Sequence, residues 1–427
     1  MATILFIAFV ILLCIGMPVG FAMAISSWIA IMLGSDFPQL VVVKEMFTEL
    51  DSFPLLAVPF FILAAEIMSG GSMTQVLLRF AIQFVGHLRG GLGYANVLSS
   101  TIFSGISGSA LADAAGPGAM MIRMMEKNGY ERSYASALTA SSAIVGPIIP
   151  PSIIMIIYAM QDESVSVGGL FMAGIVPGLL ISAAMAGVNW HVSRKRNYGG
   201  TESMPPSREI TKTSLHALPA LSLIVLIIGG IRSGLFTPTE ASVIAVFYAL
   251  FCSFFIYRSL SVKALPALLL RSALVSAAIL IILAASRIFA WVIVIEGIPQ
   301  SLAETVIGWQ LDPIMFLLAV NVLLLIFGLC FEPLPGVMVL VPILAPIAHA
   351  LGIDPTHFAI VVIVNLTIGM ITPPIGTLLF VVSSVVGIRV SDIMREMPPF
   401  MIAYGVILML LTFIPEISTW LPGISGY

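Results

Sequence analysis

The sequence predicts an all-α polytopic membrane protein built from two inverted-topology repeats, with re-entrant helical hairpins and discontinuous helices. The composition, the long apolar runs and a repeated set of helix-breaking residues support this prediction. Of the 427 residues, 59% are hydrophobic and 9% are charged, and the mean hydropathy is +1.11. Soluble domains carry about 25% charged residues, so most of the apolar surface of this chain must face lipid.

Charge and cysteine usage argue against a nucleic-acid-binding protein and against a disulfide or metal framework. The formal net charge is -3, and the basic residues stand in short clusters that form no basic face. The cysteines, Cys14, Cys252 and Cys330, lie in apolar stretches without pairing or metal-ligand spacing. The apolar run at 4–33 lacks a basic leader and a cleavage site, which predicts a retained membrane segment rather than a signal peptide.

Several apolar runs are long enough to cross a hydrocarbon core of about 30 Å. They cover residues 3–33, 54–69, 170–192, 217–235, 238–257, 272–295 and 398–420. Two further segments, 73–88 and 299–311, mix polar with apolar side chains, and we expect them to lie at the membrane interface.

Four other apolar stretches are interrupted in their middle. The stretch 91–125 contains Gly105, Gly108 and Gly116-Pro117, and 313–350 contains Glu332, Pro333 and Gly336, so both are predicted to be re-entrant hairpins. The stretches 133–160 and 356–386 are interrupted at 146–151 and 369–374. Proline removes a backbone donor and clashes with the preceding turn, which predicts a discontinuous helix in each.

The interruptions recur at one spacing, which indicates internal duplication. Gly105 and Gly328, Gly146 and Gly369, and Pro150 and Pro373 each differ by 223 in residue number. We therefore predict a first inverted repeat at 1–193, a linker at 194–213 and a second inverted repeat at 214–427. The linker is strongly basic, so the positive-inside rule predicts that it is cytoplasmic.

The distribution of basic residues also predicts that the repeats are antiparallel. Arg123, Lys127 and Arg132 surround the exit of the first hairpin, whereas 349–357 after the second hairpin contains no Lys or Arg. Inverted repeats with broken helices in matching positions are typical of ion-transporter-like folds whose site lies at the repeat interface near the bilayer midplane. The alternative is that the prolines only kink helices and adjust their packing.

The first predicted site lies where the first hairpin and the first broken helix are interrupted. The stretch 104–113 supplies hydroxyls, a carboxylate and glycines in mid-hairpin, where unwound backbone needs polar partners. Hard cations take carbonyl, hydroxyl and carboxylate oxygens, so we predict a sodium site. Its residues are Ser104, Gly105, Ser107, Ser109, Asp113, Gly146 and Pro150.

A matching sodium site is predicted in the second repeat. Its residues are Gly328, Glu332, Gly336, Gly369 and Thr372. Because half-helix N-termini present positive partial charge to an anion, the same region could also hold an anionic solute. The predicted solute contacts are Ser107, Ser109, Ser152 and Arg287.

Other roles for these residues stay open. The small residues could serve only close helix packing. Glu66 and Arg287 lie in apolar segments, where a charge costs roughly 2.5–3.5 kcal/mol without a partner. Each could therefore contact a solute or pair with another side chain, including one of a partner subunit.

An enzymatic function is not expected. Residues 105–108 match the GxSG pattern of rhomboid intramembrane proteases, but a nucleophilic serine needs a base within hydrogen-bond reach. The histidines fall at segment ends or in loops, and the sequence contains no HExxH metal motif.

Several motifs follow one another along the chain: SGSALADAA at 107–115, Gly129-Tyr130, GPIIPPS at 146–152, FTPTEA at 236–241 and ITPPIG at 371–376. Together they resemble the large membrane subunit of TRAP transporters, the DctM/SiaM family, and within it the subunits of sialic acid systems. The resemblance covers essentially the whole chain.

The resemblance implies sodium-driven uptake across the bacterial inner membrane by an elevator-type motion. Na⁺ would be the coupling ion, with two or more ions per cycle. The implied partners are a small TRAP membrane subunit and a periplasmic solute-binding protein, and the implied solute is sialic acid (N-acetylneuraminate). The alternatives are a C4-dicarboxylate TRAP subunit, a stand-alone dicarboxylate or citrate sodium symporter, and a membrane scaffold that binds but does not transport.

Overall fold

The fold is helical throughout the part of the chain that the structure describes. In a computed structural model, the described residues are 1–69, 72–200, 206–308 and 311–427, and no strand occurs within them. Five helices there are long and apolar enough to span a membrane, or up to seven if each of two bent helix pairs is one span. The predicted all-α polytopic class is confirmed.

The helices of the two halves are as follows. Those before the linker are α1 Ala2–Cys14, α2 Val19–Gly34, α3 Leu40–Leu50, α4 Ala57–Ser69, α5 Met73–Val85, α6 Gly91–Ser107, α7 Ala110–Asp113, α8 Ala119–Lys127, α9 Arg132–Ala143, α10 Ile153–Gln161 and α11 Val167–Lys195. Those after it are α12 Ser207–Arg232, α13 Pro238–Phe251, α14 Leu265–Ile295, α15 Ile298–Gly308, α16 Pro313–Cys330, α17 Pro333–Ala350, α18 Pro355–Gly369, α19 Thr377–Val386, α20 Val390–Met394, α21 Pro398–Phe413 and α22 Glu416–Ser425.

The first apolar run, 3–33, is two helices rather than one span. Gly16 takes φ +86, and the amides of Gly16 and Met17 bond back to Leu13 and Leu12, which closes α1 with a Schellman-type cap. Pro18 then precedes α2, which packs against α1. At 1.5 Å per residue both helices fall short of a 30 Å core. The mean hydropathy of the whole run does not indicate this break, because it averages over the turn.

The remaining predicted spans differ mainly at their ends. Helix α11 contains the run 170–192, and α14 contains the run 272–295. Helix α12 covers most of 217–235, and α13 with the π-helical turn Cys252–Ile256 covers most of 238–257. The run 54–69 forms a 3-10 turn and α4, at 61° to α3, and 398–420 is bent by 58° between α21 and α22. Pro415 precedes α22 at that second bend.

The predicted hairpins and broken helices are present. The chain reverses after α6 at Gly108, which takes φ +58, and returns through α7, a π-helical turn at Ala114–Gly118 and α8. The second hairpin, α16 and α17, has the predicted ends. The broken helices are α9 with α10 and α18 with α19, and the Pro150-Pro151 and Pro373-Pro374 bonds in their breaks are cis.

The elements of the two halves pack crosswise. Helix α10, which follows the first break, packs on α17 of the second hairpin. Helix α19, which follows the second break, packs on α7 and α8 of the first hairpin and on α9. Each hairpin therefore contacts the broken helix of the other half, which brings the two interrupted regions into one packed unit.

The repeat boundaries and the inverted relation of the halves stay predictions. Residues 201–205 of the predicted linker and Gln310 of the predicted interfacial segment 299–311 lie outside the described residues. The other predicted interfacial segment, 73–88, contains α5, which buries one face against α6 and α12.

Candidate functional site

The tip of the first hairpin is a short polar turn between two helices. Ser109 is the N-cap of α7, and its hydroxyl accepts a hydrogen bond from the Ala112 amide at 3.4 Å. The Ser107 hydroxyl contacts the amide and the carbonyl of Ser109, both at 3.4 Å. These distances are long for hydrogen bonds, so both hydroxyls retain capacity for another ligand.

Two glycines allow this tip to touch the break of the first broken helix. A Cβ on Gly108 would lie 2.6 Å from the Pro151 carbonyl oxygen, and a Cβ on Gly146 would lie 2.9 Å from the Ser109 carbonyl carbon. Only glycine permits backbone to approach backbone this closely. The structure thus brings together Ser107, Ser109, Gly146 and the segment that contains Pro150.

Asp113 is the most unusual group in this region. Its side chain has no solvent exposure, and neither carboxylate oxygen has a hydrogen-bond partner among the described residues. Ser100 is its polar neighbour, and because the Ser100 hydroxyl also contacts the Ser142 hydroxyl at 3.2 Å, this one neutral group is shared between Asp113 and Ser142. Because an ionised carboxylate is costly to bury alone, Asp113 requires a proton or a bound cation.

Two other predicted sodium ligands of the first half have structural partners. The Ser104 hydroxyl donates to the Ser100 carbonyl at 2.6 Å within α6. A Cβ on Gly105 would lie 2.7 Å from a side-chain carbon of Ile224. Gly105 therefore permits close packing of α6 on α12, which is the packing alternative that the sequence left open.

The second half repeats the close contact of hairpin and break. A Cβ on Gly369 would lie 2.5 Å from Cα of Gly328, and a Cβ on Gly336 would lie 2.7 Å from the Leu366 side chain. The Thr372 hydroxyl donates to the Ile368 carbonyl at 2.8 Å. Glu332 is exposed at the hairpin tip, where it precedes α17.

A buried amide pair near the second break was not among the predicted site residues. Asn365 donates to the Asn321 side-chain oxygen at 2.8 Å, and Asn321 donates to the Thr412 hydroxyl at 2.8 Å. The side-chain oxygen of Asn365 is buried and has no hydrogen-bond partner in the described part of the chain. Amides inside apolar helices usually bond across helices, and Ser142 and Asn365 keep the spacing of 223, which is the signal that could have found this pair.

The family follows from comparison with known proteins. A family profile described as "Tripartite ATP-independent periplasmic transporter, DctM component" matches residues 6–417. The chain belongs to this family. The match confirms the resemblance. DctM-family chains are permease subunits of inner-membrane transporters and are not enzymes, and this agrees with the predicted localisation.

Two relatives and one solved structure illustrate the similarity of this DctM-family chain. The sialic acid TRAP transporter large permease SiaM of Vibrio cholerae is 38% identical over 96% of both chains. The C4-dicarboxylate TRAP transporter large permease DctM of Pseudomonas aeruginosa is 39% identical over 95% of this chain and 94% of its own. The Alcanivorax borkumensis YdaH transporter shares the fold, with a TM-score of 0.58 over 87% of both chains at 14% identity.

Two predicted solute contacts of this DctM-family chain have partners of their own. The Ser152 side chain is fully buried, and its hydroxyl donates to the Pro147 carbonyl at 2.5 Å and caps the Met155 amide at 3.3 Å. Arg287 forms an ion pair with Glu45 on α3 at 3.4 Å and is 47% exposed. No described contact joins either residue to Ser107 or Ser109, so their solute roles stay predictions.

Proposed function

We propose that the chain is the large permease of a sodium-coupled TRAP transporter that imports an anionic solute, sialic acid in the first instance. The buried carboxylate of Asp113 beside the hairpin tip, which has no ion pair and no close hydrogen bond among the described residues, is the observation that carries the sodium assignment. Sodium is a hard cation that suits a carboxylate together with nearby serine hydroxyls and backbone carbonyls. The hydroxyls of Ser107 and Ser109, which are weakly engaged, support the same assignment.

The energy available from sodium is sufficient for uptake. Two sodium ions that accompany a monoanion move one net positive charge across the membrane. A tenfold sodium gradient and 100 mV then supply about 5 kcal/mol together. That energy corresponds to an accumulation of several-thousand-fold.

Sodium binding can be tested on the purified full chain. We expect sodium chloride to raise Tm relative to equal choline chloride in the unmodified chain, and we expect Asp113→Asn to lose most of that difference. Asp36→Asn removes a carboxylate from an exposed loop position and serves as the control. A sodium-dependent rise in Tm that Asp113→Asn retains in full would contradict the role of Asp113.

The transport reaction itself requires the complete complex. The proposed partners are a small membrane subunit and a periplasmic solute-binding protein, with an elevator-type motion of the hairpins and broken helices. In proteoliposomes we expect uptake only with the binding protein outside and an inward sodium gradient. Uptake that continues in choline, that follows a proton gradient alone, or that does not need the binding protein would refute this proposal and favour a stand-alone symporter.

The choice of a single carboxylate rests on the charges at the interrupted regions. The stretches 104–113, 146–152, 328–336 and 369–377 contain no Lys or Arg, and Arg287 is already paired with Glu45. A helix N-terminus can bind one carboxylate, and serine hydroxyls suit the hydroxyl-rich remainder of a sialic acid. A dicarboxylate would need a second positively charged group to bind its other carboxylate.

A C4-dicarboxylate is the second candidate, because a relative named for that solute matches this chain as well as the sialic acid relative does. Competition in the uptake assay separates the two. Excess N-acetylneuraminate should block uptake, and excess succinate should not. Ser107→Ala should raise the apparent KM for N-acetylneuraminate, while assembly of the chain with the small subunit persists. Succinate transport by the complex with its own binding protein would refute the sialic acid assignment.

A further inference from the structure

A small cavity lies at the basic end of α11, beside the start of α6 and apart from both breaks. Its volume is about 350 Å³, and it is lined by Leu88, Arg89, Tyr94, Trp190 and Arg194. Leu88 and Arg89 belong to the turn that connects α5 with α6, and Trp190 and Arg194 occupy successive turns of α11. The cavity therefore joins two segments that are far apart in sequence.

The cavity walls are cationic and contain no carboxylate. The guanidinium carbon of Arg194 lies 4.2 Å from the centroid of the Trp190 ring, a cation–π contact that holds the group in place. Arg89 donates to the neutral side-chain oxygen of Asn197. Within the described ranges neither arginine forms an ion pair, and Arg194 interacts electrostatically with the Tyr94 hydroxyl.

The rim of the cavity is apolar and faces outward. Leu88 is 43% exposed and Trp190 is 49% exposed. Tryptophan and tyrosine are enriched at the headgroup level of membranes, and the basic linker that follows α11 marks the cytoplasmic face. An apolar rim beside two fixed guanidinium groups matches a lipid headgroup better than a soluble anion.

We propose that this cavity binds the phosphate of an anionic phospholipid in the cytoplasmic leaflet. Planar guanidinium groups bind phosphate oxygens in pairs through charge-assisted hydrogen bonds. The acyl chains would lie along Leu88 and the Trp190 ring. The bound lipid would stabilise the turn before the first hairpin, where Asn189 donates to the Gly90 carbonyl at 3.1 Å and the Gly90 amide donates to the Tyr198 carbonyl at 3.2 Å.

The test measures phosphatidylglycerol binding by the purified full chain in phosphatidylcholine nanodiscs, by titration with a fluorescent phosphatidylglycerol. The double variant Arg89→Ala/Arg194→Ala should weaken binding about a hundredfold or more, beyond the roughly thirtyfold that loss of two general surface charges would cause. Lys195→Ala is the matched control, because Lys195 is an exposed cation at the same helix end that does not line the cavity. Loss of one general surface charge should weaken binding less than about fivefold.

A conservative variant keeps the test informative if the double variant does not fold. Arg194→Lys retains the charge but loses the planar fork and its stacking on Trp190, so we expect binding weaker than in the unmodified chain and weaker than in Lys195→Ala. The proposal is wrong if the double variant loses no more than the roughly thirtyfold expected for two general surface charges. It is equally wrong if Arg194→Lys, where only that variant folds, binds phosphatidylglycerol as Lys195→Ala does. It is also wrong if phosphatidylcholine binds equally well or if inorganic phosphate competes at concentrations equal to the lipid.

Discussion

The contact between Gly369 and Gly328 gives the sharpest prediction about how the second hairpin is held. A Cβ on residue 369 would lie 2.5 Å from Cα, 2.6 Å from the carbonyl carbon and 2.8 Å from the oxygen of Gly328. Carbon atoms in contact normally stand about 3.5–4.0 Å apart. In Gly369→Ala the backbones of α16 and α18 must therefore separate by about 1 Å, since no flexible side chain is available to move.

Overpacking of a buried contact costs about 1–3 kcal/mol, and a clash between two backbones belongs at the upper end of that range. The expected result for Gly369→Ala is a loss of roughly 2–8 °C in apparent Tm. Gly328→Ala should lose less, because its Cβ would approach Gly369 only to 3.0 Å. The assay is thermal unfolding of the purified chain at one scan rate, followed by intrinsic fluorescence.

Gly405→Ala is the matched control for this prediction. Gly405 lies within α21, and no neighbouring atom would lie within 4 Å of a Cβ added there. Alanine is the better helix former by about 1 kcal/mol, so the control should be neutral or slightly stabilised. If Gly369→Ala and Gly405→Ala unfold at the same temperature, the close backbone contact is not a determinant of stability and the reasoning fails.

Two further predictions concern single side chains. Ser152→Ala removes the N-cap hydroxyl of α10 and should lower the free energy of unfolding by about 1 kcal/mol. The variant should therefore have a lower Tm, whereas the exposed control Ser384→Ala should not. An unchanged Tm in Ser152→Ala would leave the Ser152 hydroxyl free for solute contact. Arg196 bridges Glu131 at 2.6 Å and Glu396 at 2.7 Å, so Arg196→Ala should cost about 1 kcal/mol at low salt and less at high potassium chloride. Arg395→Ala, an 80% exposed cation 4.0 Å from Asp392, is its control, and equal Tm losses in both variants would contradict the bridge.

The crosswise packing suggests how the two interrupted regions act together. Helix α10 begins at the first break and packs on the second hairpin, while α19 begins at the second break and packs on the first hairpin. A packed helix therefore connects each break with the hairpin of the other half.

The membrane class, the second hairpin at 313–350 and the positions of both breaks could all be predicted from the residue order alone. These features depend on the length of apolar runs and on prolines that cannot continue a helix, and both are local properties. The resemblance through short motifs determined the family for the same reason. The break between α1 and α2 was missed, because Gly16 closes a helix through a backbone conformation that hydropathy does not report.

Which of the polar residues have partners became known only from the folded chain. Arg287 and Ser152 were predicted solute contacts, but the structure supplies Glu45 to one and the Pro147 carbonyl to the other. Asp113 has no such partner, although it lies in the same kind of apolar stretch. Whether a buried polar group is satisfied depends on atoms that folding brings from distant parts of the chain, and residue spacing along the sequence does not contain that information.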